Sequence, residues 1–132
     1  MENRYEFGHE RLDVYQLAVG VARWAARQGF PAPRRHLQDQ LLRAVDSLVL
    51  NLAEGCGLEP GAARRHHLRI ALGSAAEAHA VLDLIALPGS ADRQQELRRI
   101  GAMLARLIRG APDRVTARPR PPARRASPPL AR

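Results

Sequence analysis

Lysine is missing from this chain: the 21 Lys-plus-Arg positions are all arginine. A GC-rich genome accounts for that exchange, so where the arginines sit carries more information than their identity. Aromatic residues make up only 4%. A core must then be assembled from Ala, Leu, Val and Ile, which suits close-packed helices better than a sheet. A single cysteine, Cys56, excludes an internal disulfide. No apolar run approaches the ~20 residues a membrane span requires. The opening MENRYEFGHE lacks the apolar segment of a signal peptide. The expectation is a cytoplasmic bacterial protein, with 132 residues giving one domain and a modest core.

What is present is organised around Gln40 to Gly57. At about 100° per residue, Leu41, Leu42, Ala44, Val45, Leu48, Val49, Leu52 and Ala53 share one arc of a helix. Asp39, Gln40, Arg43, Asp46, Ser47, Asn51 and Glu54 share the other, and only Leu50 falls on the wrong side. Gly55 and Gly57 supply the backbone freedom that ends a helix. So wide an apolar face needs partner helices.

The neighbours provide them. A first helix is expected from about Glu10 to Gln28, then a break at Gly29-Phe30-Pro31-Ala32-Pro33. The second helix covers about Arg35 to Glu54 and the third about Ala62 to Leu87, with Leu68, Ala71, Ala75, Ala78, Leu82 and Ile85 as its core stripe. Small residues around Gly73 suggest a closely approaching helix there. Pro88-Gly89-Ser90 makes the last turn, and Ser90 is placed to cap a fourth helix reaching about Arg109. Its core stripe is Leu97, Ile100, Met103, Leu104, Leu107 and Ile108. Short connections imply an all-α, up-down-up-down four-helix bundle over residues 1–109. Met1 to His9 reads as a loosely ordered lead-in, and residues 110–132, rich in Arg, Pro and Ala, as a disordered tail.

The run Gln40-Leu41-x-Arg43-Ala44-x-x-Ser47-x-x-x-Asn51-Leu52-Ala53-Glu54-Gly55 resembles the signature of a small bacterial four-helix bundle family. Leu12-Asp13-Val14-Tyr15 and Ile70-Ala71-x-Gly73-Ser74-x-x-Glu77 match it in order and spacing. The family includes proteins encoded by intervening sequences within bacterial 23S ribosomal RNA genes. It also includes Avd, the accessory variability determinant of diversity-generating retroelements. The resemblance spans roughly Phe7 to Arg109. It implies a homo-oligomer, in Avd-like relatives a homopentamer whose basic surface serves a reverse transcriptase and its RNA. Cys56 departs from the pattern, standing where a larger polar or aromatic residue is expected.

Chemistry of other kinds finds little purchase. Glu77 is followed by His79, not by a histidine at position 80, so the Glu-x-x-His pairs of di-metal bundles are absent. His66 and His67 are adjacent and point about 100° apart, so they cannot share an ion. Phosphate-binding glycine loops and nucleophile elbows are missing. The expectation is no catalytic residue, no metal and no cofactor. The polar stripe Arg43, Ser47, Asn51 and Glu54, with Ser74 and Glu77 of the third helix, is either a ligand site or structural glue, and the second is preferred.

The net charge of +8 lies mostly in the tail, where Gly110 to Arg132 holds six arginines against Asp113 alone. Residues 1–109 carry fifteen arginines against twelve acids. In an up-down bundle Arg64, Arg65, His66, His67 and Arg69 share one end with Arg106 and Arg109. Arg98 and Arg99 continue the basic face of the fourth helix. Such a cluster favours polyanions, although for Arg98 and Arg99 a merely solvated face suffices. The wide apolar sweep of the first helix makes Leu17, Val21 and Trp24 candidates for a subunit interface, together with Leu50, Leu72 and Leu84. Trp24 has the alternative of capping the end of the bundle. The expected function is a non-enzymatic adaptor for RNA or a ribonucleoprotein; the rival is a protein-interaction module that binds no nucleic acid.

Overall fold

A computed structural model of the chain describes residues 4–110. Four helices form, α1 (Asp13–Ala26), α2 (Arg35–Cys56), α3 (Ala62–Leu84) and α4 (Ser90–Ile108), with a 3-10 turn at Ala32–Arg34 leading into α2. No strand occurs among the described residues. Each helix packs antiparallel on its chain neighbour and α4 closes back on α1, giving the expected up-down-up-down bundle. Except for Gly110, the expected tail lies outside the described residues.

The core is aliphatic. Val14, Val21, Leu41, Val45, Leu48, Leu52, Leu68, Ile100 and Leu104 are fully enclosed, with Ala18, Ala71 and Ala78 between them. Leu42, Val49, Met103 and Ile108, expected in the core stripes, are only partly covered at its margins. Truncating one of the enclosed leucines to Ala costs ~2–5 kcal/mol in cores of this kind.

Several boundaries differ from the sequence reading, each for a physical reason. α1 begins three residues late because the lead-in is folded. The Glu10 N–H donates to the Phe7 carbonyl (3.1 Å) and the Leu12 N–H to that of His9 (3.1 Å). Gly8 is wedged against the end of α2, where a Cβ would lie 2.7 Å from the Cys56 carbonyl oxygen. The lead-in is thus docked from Phe7 onward, not loose. α2 runs through Gly55, which is buried instead of ending the helix. A Cβ there would meet Leu68 Cδ2 at 3.1 Å and His67 Cβ at 3.3 Å, so Gly55 is what lets α3 come close. Gly73, expected to play that part, is exposed with open space around its Cα.

At the opposite end, Ile85 is extended and terminates α3 three residues before Pro88. Gly89 turns the chain with φ +86°. Ser90 does not cap α4: its Oγ accepts the Leu87 N–H (2.9 Å) and closes the turn from behind. Trp24 packs beneath this turn, its Nε1 3.3 Å from where a Gly89 Cβ would stand. Trp24 is therefore the end cap of the bundle, and Val21 is wholly internal. Both are enclosed within this one bundle and leave little surface for another subunit. Leu17 and Leu72 are half-covered in grooves, whereas Leu50 (67% exposed) and Leu84 (61%) face outward.

Candidate polyanion interface

Two side-chain arrangements stand out from the bundle, one between helices and one at an end. Between α2 and α3 runs a polar ladder. Ser74 Oγ, nearly buried, donates to Ser47 Oγ at 2.8 Å. Asn51 Nδ2 donates to the Ser47 carbonyl (2.9 Å) and lies 3.2 Å from Ser47 Oγ. Asn51 Oδ1 meets His67 Nδ1 at 3.1 Å, and His67 Nε2 is 3.6 Å from a Glu54 carboxylate oxygen. Ser47, Asn51, Glu54 and Ser74 of the polar stripe are thereby joined, each partly or wholly engaged by another. Arg43 and Glu77, one turn further along, are exposed, and no ion pair joins them. The member that the sequence pattern alone does not reveal is His67, which the sequence groups with the basic surface and which α3 turns toward Asn51 of α2.

The end is basic. Helix register sets it: Gln94 of α4 reaches the His79 carbonyl (3.2 Å), and a Cβ on Gly101 would touch Leu72. Continuing those pairings carries Arg106 to the level of His67 and Arg109 to that of Arg64. Arg64 leans back, donating weakly to the Leu58 carbonyl (3.4 Å). Arg65, His66 and Arg69 are exposed on the first turns of α3, as are Arg106 and Arg109 on the last turns of α4. Among the described residues Arg11 pairs with Glu6 and Arg93 with Glu96, and the rings of His67 and His79 lie 3.6 Å from carboxylate oxygens of Glu54 and Asp83. None of Arg64, Arg65, Arg69, Arg106 or Arg109 has a carboxylate partner there.

Arg98 and Arg99 do not extend this cluster as one face. Arg98 borders the α3–α4 groove with Leu72, Ala75 and Gly101, and Arg99 the α1–α4 groove with Asp13, Gln16 and Leu17. Successive residues on a helix diverge by about 100°, enough here to send them to opposite flanks.

Among the described residues no group of three His, Cys, Asp or Glu side chains converges to hold a metal ion. No helix there is long and apolar enough to cross a membrane. Guanidinium groups on helix ends with no carboxylate at ion-pair distance among the described residues can hold phosphates or carboxylates by charge-assisted hydrogen bonds. A comparison with curated proteins finds no match. The profile of the family described as 23S rRNA-intervening sequence protein matches residues 10–109, the whole bundle, and the chain belongs to that family.

Proposed function

We propose that the protein is a non-enzymatic adaptor that holds RNA, alone or in a ribonucleoprotein, on the basic end of its bundle. The observation that carries the reading is the density of arginine at one end, where Arg64, Arg65, Arg69, Arg106 and Arg109 gather, none within ion-pair distance of a carboxylate among the described residues. The six arginines of residues 110–132 follow directly from the end of α4. Phosphates neutralised by such groups release counterions, so the binding is electrostatic, poor in sequence preference and steep in salt. The Avd resemblance supports a homo-oligomer, a pentamer, working beside a reverse transcriptase; symmetry would repeat the basic end around a ring. The outward Leu50 and Leu84 are available for such contacts.

Fluorescence anisotropy of labelled RNA, titrated at low and moderate salt, tests the reading. The full chain should bind with a steep slope of log K against log salt, and removing Gly110 to Arg132 should flatten it. No binding at low salt overturns the proposal in favour of a protein-interaction module. Light scattering reads the subunit number independently.

A further inference from the structure

The basic end also carries most of the chain's few aromatic side chains. The sequence holds two Phe, two Tyr and one Trp. Trp24 seals the far end, while Tyr5, Phe7 and Tyr15 belong to the end where the lead-in docks on Cys56. Tyr5 is 77% exposed and Phe7 59%. Single exposed apolar residues are ordinary on any surface, but these two are neighbours in a continuous stack. Tyr5 meets Phe7 edge-to-face with centroids 5.1 Å apart. Phe7 stacks on His9 at 5.9 Å and 23°, and His9 rests on Tyr15 at 4.6 Å.

The backbone beneath the Phe7 ring is held in place. Glu10 accepts the Phe7 N–H at 2.7 Å, and Gly8 anchors the segment against α2. Holding the rings beforehand reduces the ordering cost of anything that lands on them. Of the nearby acids, Glu6 pairs with Arg11 and Glu10 is bound to the Phe7 backbone; Glu54 and Glu59 at the α2–α3 turn are exposed and offset part of the positive charge.

We propose that this end takes single-stranded RNA, with unpaired bases stacking on Phe7 and Tyr5 while Arg64, Arg65, Arg106 and Arg109 hold the flanking phosphates. The inference rests on the RNA-binding reading above and adds to it the class of RNA. Stacking accepts every base, because each has a π face, so it fits a surface with no base-reading elements. A duplex keeps its bases stacked on one another and can offer only its backbone. The single strand therefore gains a contribution that the duplex does not.

The experiment uses the full chain with a 2-aminopurine-labelled single strand and a duplex of the same length. Tyr5→Ala, Phe7→Ala and the double variant are compared with wild type, with helicity followed by circular dichroism. Phe7→Leu keeps apolar bulk at the site and removes the π face, which separates stacking from support of the fold. Each single alanine variant is expected to bind the single strand about 5- to 150-fold more weakly, from the usual worth of base–aromatic stacking, and the double variant more weakly still. The double variant's duplex affinity and salt slope should stay unchanged, and the 2-aminopurine signal should lose its stacking-dependent change. Equal binding of both RNAs with no effect of the ring variants overturns the stacking and leaves the electrostatic reading intact. Ring variants that alter assembly in light scattering, without altering RNA affinity, overturn it in favour of a protein contact. Failure to bind either RNA overturns both readings.

Discussion

Glycine at single positions shows what a sequence can and cannot reveal about packing. Gly73 sits in a run of small residues, and its cost in helix propensity suggests a close contact; in the structure nothing approaches its Cα. Replacing Gly73 by Leu should therefore leave the melting temperature unchanged or raise it, since an exposed helical Gly costs ~1 kcal/mol relative to better helix formers. Gly89 behaves oppositely. Its φ of +86° lies in the left-handed region, and Trp24 Nε1 stands 3.3 Å from the missing Cβ. Gly89→Ala is expected to destabilise the fold by ~1–2 kcal/mol from backbone strain alone, read as a lowered urea midpoint with an unchanged m-value. Helical periodicity identifies a small residue on a face. It does not say whether a neighbour comes near, and that distinction depends on Leu68, His67 and Trp24, which lie far away in sequence.

At the scale of an element, α2 and α3 were the most legible part of the chain. Apolar spacing places their faces, but the polar stripe Arg43, Ser47, Asn51 and Glu54 with Ser74 and Glu77 is joined only in part. Ser74, Ser47 and Asn51 connect in a chain that reaches Glu54 through His67, while Arg43 and Glu77 stand exposed. His67 does not stand out in the sequence as a member, because a histidine beside Arg64, Arg65 and His66 reads as more of the same surface. Only the register between the helices shows it reaching Asn51. The Ser74–Ser47 bond is the rung with least solvent around it, and a net value of about 0.5–1.5 kcal/mol is usual for such a hydrogen bond. Ser74→Ala should lower stability by roughly that amount. In a double-mutant cycle with Ser47→Ala, the coupling should be of the same size, since each single change removes the same contact. A coupling of zero in chemical denaturation would mean that the ladder contributes nothing to the pairing of α2 with α3.

For the whole molecule, the question is whether overall charge or its placement governs a polyanion. Arginines without ion-pair partners also occur at the far end, where Arg27, Arg34 and Arg35 are exposed. Absence of a carboxylate therefore does not choose between the ends. Density does: the first turns of α3 and the last turns of α4 converge where residues 110–132 also begin, and the exposed ring pair is there too. If net charge alone mattered, Arg34→Glu with Arg35→Glu would weaken RNA binding as much as Arg106→Glu with Arg109→Glu, because both remove the same charge. The basic-end reading expects otherwise. Reversal at Arg106 and Arg109 should lower affinity at least tenfold near physiological salt. It should also reduce the salt slope by roughly one to two units, as two phosphate contacts are lost. Reversal at Arg34 and Arg35 should shift affinity slightly at low salt, with an unchanged slope, since charges beyond ~8–10 Å are screened at physiological ionic strength. All four side chains are solvent-exposed, so the fold should survive either pair of changes. Equal losses from the two pairs would reduce the interface to a net-charge effect spread over the whole bundle.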